Sequence, residues 1–501
     1  MTPSIVESFT LPSSAGILAD WLLHQDVQAH FVGGMIRDSL LKIETNDIDV
    51  AIEGNALIVG KAAASNLKGT YIELDRARGI CRVVVAGEKG FQADFVSANE
   101  GIEADLARRD FTIDSMAIDI ESVRTNEGEL SFTLSNLVDP LNGRGDLNSG
   151  KLRSVSSSSL ADDPIRLMRA VRLSSQYRLR LEDKTYNQIK NIAPQLKRVA
   201  PERIRDEFLK TLSLHGASES IRLMDKLGLL EQIIPEIRQA KGVLQPQEHY
   251  WNVFEHLIEC VGQLERILQP QCQKSGHCQD DYLDLIPKFQ GVEKHFKQEV
   301  GDGHTRLTVC KVACLLHDIA KPATKTVEPT GRIRFLGHHE EGAKMAESIL
   351  KRLRFSGKSV LLITDQVKHH LRPSQMAPAG ELPSNKAIFR YFRDVGNASI
   401  DTLYLNLADY MSARGPLLEE DEWKQHCGII NHILSKGLHE KDSRKPPKLV
   451  TGHDIMCGLS LAPGPLIGQL LAEVEEARSE GILTNREDAL EFLRMRPLSG
   501  E

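Results

Sequence analysis

A change of hydrophobic period part-way along the chain limits the fold more than any other feature. Between residues 28 and 120 the apolar residues come in short runs rich in Val, Ile and Phe, such as Cys81–Ala86 and Gln92–Val96, separated by turn residues. Runs of this kind read as strands, so the stretch is expected to be a mixed head built on a sheet. From about Ala161 onward the apolar spacing becomes helical and strand-like runs become rare. Asp163-Pro164 marks one helix start, with Asp as N-cap and Pro in the first turn, and Pro201-Glu202 marks another. The predicted class is therefore α+β: a small mixed head followed by an all-α body. At 501 residues the chain is too long for one core. Polar residues 269–304 read as an insertion, and the charged, Pro-containing residues 436–449 read as a linker before a last helical segment.

Composition closes off several classes. With 41% hydrophobic and 26% charged residues the chain is neither disordered nor fibrous. No apolar run approaches the length of a bilayer, so no membrane partner is expected. The start MTPSIVESFTLPSSAG lacks the basic-then-apolar pattern of a secretion signal, and the eight scattered cysteines suit a reducing cytoplasm. The net charge of −7 means that any nucleic-acid contact rests on local basic patches.

The head carries the first chemistry. Phe31-Val32-Gly33-Gly34 followed by Arg37-Asp38 reads as a strand end, a glycine turn and a helix start, where backbone N–H groups can approach a phosphate. Asp47-Ile48-Asp49-Val50-Ala51-Ile52 follows, and on a strand Asp47 and Asp49 face the same side. Two adjacent carboxylates call for a hard divalent cation such as Mg²⁺ between them. Asp94, in an apolar strand, is either a third carboxylate or an ordinary outward-facing residue. Arg108-Arg109-Asp110-Phe111-Thr112 sets guanidinium forks, which suit triphosphate oxygens, beside a carboxylate that suits ribose hydroxyls.

In this order the blocks resemble the class II tRNA nucleotidyltransferase and bacterial poly(A) polymerase family. The match continues through Asp139-Pro140, Gly143-Arg144-Gly145-Asp146-Leu147, Asp162-Asp163-Pro164-Ile165-Arg166 and Glu202-Arg203-Ile204-Arg205-Asp206-Glu207, so it spans residues 31–210. The resemblance implies a polymerase-β-like head that transfers a nucleotidyl group from CTP or ATP to the 3′ end of tRNA by a two-metal route. It places Mg²⁺ on Asp47 and Asp49 as the catalytic residues. It assigns nucleotide binding to Gly33, Gly34, Arg37, Arg108, Arg109, Asp110, Asp163, Arg166, Arg169 and Arg172. Asp163 and Arg166 would read the Watson–Crick edge of the incoming base: the carboxylate accepts from the exocyclic amines of C and A, and Arg donates to their acceptors. Asp163 can serve as helix cap at the same time. Three departures stand out: Asp162 replaces the usual Glu, and Asp114-Ser115 replaces Asn-Ala. None removes a presumed ligand. The segment Tyr71–Ile80 is the region that the resemblance ties to the switch from C to A addition.

The body holds a second constellation. His256 lies in a helical stretch, His317-Asp318 ends an apolar one, and Asp409 follows in Leu407-Ala408-Asp409-Tyr410. This order of His, His-Asp and Asp resembles the HD phosphohydrolase superfamily, which implies a transition metal or Mg²⁺ activating water on a phosphoester. His338, His369 and His370 fall between them and leave room for a second metal. Cys272, His277 and Cys278 have the wrong spacing for a zinc knuckle. The resulting division is a head at 1–148, a helical neck at 149–240, an HD domain at 241–435 and a helical tail at 436–501. The leading reading is addition or repair of the 3′-terminal CCA. A CC-only or A-only enzyme and a poly(A) polymerase share the same motifs. From another class comes an HD phosphohydrolase with a vestigial head.

Overall fold

The computed structural model describes residues 8–11, 13–87, 90–126, 129–268, 281–378, 380–442 and 448–495. Packing divides the chain into two units, Met1–Ala200 with Met224–Gln232, and Pro201–Leu223 with Ile233–Glu501. Cys272, His277 and Cys278 fall outside the described residues.

The first unit is built on a mixed sheet. Its strands are β1 (Gln28–Val32), β2 (Asp47–Glu53), β3 (Thr70–Asp75), β4 (Ile80–Val85), β5 (Phe91–Ser97), β6 (Ala117–Asp119) and β7 (Leu137–Val138). They lie in the order β7-β6-β1-β2-β5-β4-β3. Only the central β2–β5 contact is parallel, with Asp47 beside Gln92 and Asp49 beside Asp94. Alternation along each strand splits the side chains between two faces. Phe31, Ile48, Val50, Ile52, Cys81, Val83, Phe91, Ala93, Phe95 and Ile118 form the larger core with helices α1 (Ser13–Leu22), α2 (Gly34–Leu40) and α3 (Ala56–Asn66). On the other face Val32, Ala51, Ala98, Leu106 and Ala117 form a smaller cluster that includes α4 (Ile102–Ala107). That smaller cluster leaves the N-terminal ends of β2 and β5 uncovered for polar residues. Tyr71–Ile80 belongs to the antiparallel β3–β4 hairpin, not to a long loop.

The segment after β7 frames the site instead of entering it. The Asp139 carboxylate accepts the backbone N–H groups of Gly143 (2.6 Å) and Arg144 (2.9 Å), fixing a short helix over Gly143–Asn148. A Cβ at Gly143 would stand 2.1 Å from the Thr112 carbonyl, so only glycine permits this approach. Asp146 accepts from Thr112 Oγ1 (2.6 Å) and Arg153 Nε (2.8 Å). Helix α5 (Ile165–Tyr177) follows, with Pro164 at its cap position. The expected Asp163 cap is thus displaced by one residue: Asp163 is extended, and its carbonyl accepts the Arg166 N–H at 3.0 Å.

The second unit is helical. It opens with α6 (Pro201–Ser213), and its centre is α7 (Val253–Leu268), α8 (Arg306–Leu316) and α11 (Ser399–Arg414), packed with α9 (His338–Arg352) and α10 (Gly357–His369). Helices α8 and α11 are buried nearly all round, the pattern of interior elements, while α7 turns one face inward. The stretch expected to be a polar insertion is structured over 281–304, with helices at Asp281–Asp284 and Val292–Lys297 and a tight hairpin. The expected linker likewise starts late, because α12 (Glu420–Asp442) runs seven residues into it. The tail has its own core of Val450, Ile455, Leu470, Val474, Leu483 and Leu493, and a capping box between Thr451 and Asp454 opens its first helix.

Lys311 on α8 is fully buried. Its ammonium donates to Glu265 Oε1 (2.6 Å) and to the carbonyls of Leu212 (2.7 Å) and Leu214 (3.0 Å). Lys311→Met strands the buried Glu265 charge and should cost about 3–5 kcal/mol in chemical denaturation. The double variant with Glu265→Leu should recover most of that loss, and a double variant no better than the single would refute the pairing.

Candidate active site

Strand register brings the head's carboxylates together. Asp47 is exposed and Asp49 half-buried on one face of β2, with Asp94 beside Asp49 on β5. Burial pushes the Asp49 carboxyl above its usual range; Arg109 opposes the shift and Asp94 adds to it. Gly33 follows β1 with φ of 71°, and a Cβ there would come 2.6 Å from Arg109 Nη1 and 2.9 Å from Asp49 Oδ2. Glycine is required twice over, by conformation and by space.

The arginines divide into framework and surface. Arg37 is 5% exposed, although it was expected at the nucleotide. Its guanidinium bonds Asp38 (2.9 Å), Asp114 and the Tyr177 hydroxyl (2.5 Å), and it lies over the Tyr177 ring. This buried knot ties α2 and the segment after Arg109 to α5. Arg109 holds Asp105 Oδ2 through two 3.0 Å bonds, and Arg169 pairs with Asp110 (2.7 Å) and Asp114 (3.5 Å). Arg166 donates to the carbonyls of Ser159 (2.8 Å) and Arg108 (3.1 Å), which pins it beside the Arg-Arg-Asp segment. Arg166, Arg169 and Arg172 recur every third residue and share one face of α5. Arg108 is exposed, and its guanidinium pairs with Glu100 at 2.7 Å.

The second unit holds a denser cluster. His256 from α7, His317 and Asp318 after α8, and Asp409 from α11 converge within 4.8 Å. The Nε2 atoms of His256 and His317 are 3.1 Å apart, and Asp409 Oδ1 lies 3.0 Å from the first and 3.4 Å from the second. Asp318 Oδ2 is 3.3 Å from His256 and 3.2 Å from His317, while its Oδ1 faces His338 at 3.1 Å and His370 at 3.6 Å. Asp318 therefore stands between two ligand groups. His369 is outside both: it is the half-buried last residue of α10, next to His370, and burial with Arg372 and Lys368 lowers it to about 4.

Hydrogen bonding selects the tautomers. Nδ1 of His317, His338 and His370 lies 2.8, 2.6 and 2.7 Å from the carbonyls of Cys314, Phe335 and Val367. A carbonyl can only accept, so each Nδ1 carries the proton. Ser412 donates to the Asp409 carbonyl (2.8 Å), so its oxygen accepts from His256 Nδ1 (3.1 Å). All these rings thus aim Nε2 inward, the arrangement of metal-ligating imidazoles. Asp318 Oδ1, His338 Nε2 and His370 Nε2 are buried with no hydrogen-bond partner among the described residues. Burial works against a charged His317, yet Asp318, Cys260 and Asp409 together raise it well above its usual value.

Three family descriptions match successive segments: "Poly A polymerase head domain" over residues 29–153, "Probable RNA and SrmB- binding site of polymerase A" over 178–241, and "HD domain" over 292–414. An A-adding tRNA nucleotidyltransferase of Deinococcus radiodurans is 33% identical over 473 residues, covering 93% of this chain and 95% of that one. The chain belongs to the tRNA nucleotidyltransferase family. A CC-adding member from Thermus thermophilus is 28% identical over 95% of both chains. The structure of a Thermotoga maritima CCA-adding enzyme complexed with tRNA superposes with a TM-score of 0.58 over 96% of this chain and 93% of that one, at 21% identity, a likeness of fold. The HD domain is thus a part of a tRNA nucleotidyltransferase. No described helix is long and apolar enough to cross a membrane.

A tRNA nucleotidyltransferase head implies a divalent metal, and the residues present fit one. The all-carboxylate donor set at Asp47 and Asp49 suits a hard cation, and the Asp49 carboxyl stays shifted upward because Arg109 and Arg169 only partly offset its desolvation. The mixed imidazole and carboxylate cluster suits a softer ion. Residue-by-residue reading missed Asp105, although its i,i+4 spacing to Arg109 was visible. It also missed Tyr177, which meets Asp38 139 residues away and carries no local signal.

Two outcomes test these sites. Folding raises the Asp49 pKa, so an ionised Asp49 costs stability above that raised value and nothing below the unfolded value of about 3.9. With metal chelated, Asp49→Asn should therefore melt above wild type at pH 8, and the gap should close as the pH falls. An Asn variant that melts lower at pH 8 would contradict the burial argument. At the second cluster, calorimetric titration with Mn²⁺ should show proton release, because the ion displaces protons held by His317 and its neighbours. His317→Ala should remove that release.

Proposed function

We propose that this chain adds or repairs the 3′-terminal CCA of tRNA from CTP and ATP without a nucleic-acid template, in the cytoplasm, with Mg²⁺ on Asp47 and Asp49. The observation that carries this reading is the convergence of Asp47, Asp49, Gly33 and Arg109 on one sheet face in a member of this family. The ion would supply Lewis-acid stabilisation of the triphosphate and lower the pKa of the attacking 3′-hydroxyl. Asp47 and Asp49 orient that centre. Exposed Arg108 neutralises phosphate charge, and Arg109, fixed by Asp105, closes the Gly33 turn over it. Asp163 and Arg166 discriminate the base, and the two carbonyls that hold Arg166 support this by fixing the plane of its guanidinium. Arg169 and Arg172 extend the same helix face, and Asp110, braced by Arg169, takes the ribose.

The division into head (1–148), neck (149–240), HD domain (241–435) and tail (436–501) follows from the same reading. The second cluster would hold a transition metal or Mg²⁺ for hydrolysis of phosphoesters, on His256, His317, Asp318 and Asp409 with a second position at His338 and His370.

A narrower activity is the second reading, because the near full-length relatives from Deinococcus and Thermus are A-adding and CC-adding members. Transcripts lacking CCA, ending in C and ending in CC, each incubated with Mg²⁺ and CTP, ATP or both, separate the cases. Growth to CCA followed by a stop is expected. Arrest at CC, or extension of only the CC-ended transcript by A, would establish the narrower activity, and a long A ladder would make it a poly(A) polymerase. Asp47→Ala or Asp49→Ala should lower transfer by about 10³-fold or more while the fold is kept. Full transfer by either variant would sink the metal assignment.

A further inference from the structure

We propose that Arg82 is a positioning residue that sets the charge, and hence the divalent-cation affinity, of the Asp47–Asp49 site through Asp94. The inference rests on the metal reading above and adds a residue to which no role has been given. Strand register places Asp49, Asp94, Arg82 and Ile72 in one row across β2, β5, β4 and β3. Arg82 engages both carboxylate oxygens of Asp94, Nε to Oδ1 at 2.7 Å and Nη2 to Oδ2 at 2.8 Å. The amide oxygen of Gln92, turned toward Arg82, lies 3.3 Å from the same guanidinium, and Gln92 is the register partner of Asp47. Arg82 thus bonds both residues that flank the two metal-type aspartates.

Stability does not account for this pair. The side chains are 33% and 30% exposed, and pairs that open to water contribute little to folding. What the fork does is electrostatic. It withholds Asp94 from a cation at Asp49 and cancels its charge, so the site offers two carboxylates of net charge instead of three. A third free carboxylate would tighten cation binding and slow its exchange with each new nucleotide. Arg82 limits the site to a strength compatible with turnover.

The test is Mn²⁺ binding to the full chain without nucleotide or RNA, followed by electron paramagnetic resonance. The isotherm of an Asp47→Asn/Asp49→Asn variant is subtracted to remove the histidine cluster. Arg82→Gln should bind head Mn²⁺ about threefold or more tighter than wild type, the effect of removing one positive charge at this range. Arg82→Lys, which keeps the charge, should stay near wild type, and Arg82→Gln/Asp94→Asn should return to it. In transfer assays Arg82→Gln should reach half its maximal rate at a lower Mg²⁺ concentration, with a reduced kcat. Circular dichroism confirms that each variant is folded. Unchanged or weaker Mn²⁺ binding by a folded Arg82→Gln protein overturns the proposal and leaves the metal reading intact. Identical isotherms for wild type and the Asp47→Asn/Asp49→Asn variant overturn both.

Discussion

The parallel contact between β2 and β5 is the constraint on which the head depends. It is the only parallel contact in a sheet whose other neighbours run antiparallel. In an antiparallel pair a short turn would fix the register. Here a helix and a hairpin intervene, so register is set by the core instead: Ile48, Val50 and Ile52 on one strand pack with Phe91, Ala93 and Phe95 on the other. A slip of either strand by one residue would turn its aspartate into that core, at a cost that a buried carboxylate without a partner does not recover. Hydrophobic packing on one face therefore places the acids on the other.

Around those acids the basic residues serve distinct purposes. Arg37 is buried against two carboxylates and a phenol, and its guanidinium stays charged well above its usual range; burial opposes this, and Asp114 and Asp38 outweigh burial. Arg109 and Arg169 are also spent on carboxylates, so Asp105, Asp110 and Asp114 act as the rigid support that a preorganised charge site needs. The histidine cluster solves the same problem with other means. Backbone carbonyls at Cys314, Phe335 and Val367 orient three rings, and the inward nitrogens of His338 and His370 have no hydrogen-bond partner among the described residues.

Much of this was legible in the sequence, for reasons that can be named. The switch from strand-like to helical spacing is a local property, and so are the Asp-x-Asp alternation and the His-Asp pair. Tertiary choices were not legible. Whether Arg37 faces a phosphate or a buried carboxylate depends on Tyr177, which no spacing rule connects to it. Adjacent His369 and His370 are equivalent in sequence, and only the end of α10 decides that His370 points inward. Tyr71–Ile80 reads as a loop until the pairing of Thr70–Asp75 with Ile80–Val85 is known, since its strand β3 is an exposed edge with little apolar alternation. The blocks at Asp139 and Gly143–Asp146 carry the family resemblance without a local sign of their role, and the structure shows that they cap and brace.

The claim at the centre of this account is that Asp47 and Asp49 share a divalent cation. Anomalous diffraction from crystals grown with Mn²⁺ and a non-hydrolysable CTP analogue addresses it directly. The account requires a manganese peak within bonding distance of both carboxylates, next to the triphosphate. Manganese found only at His317 and Asp318, with the Asp47–Asp49 face empty, would contradict it.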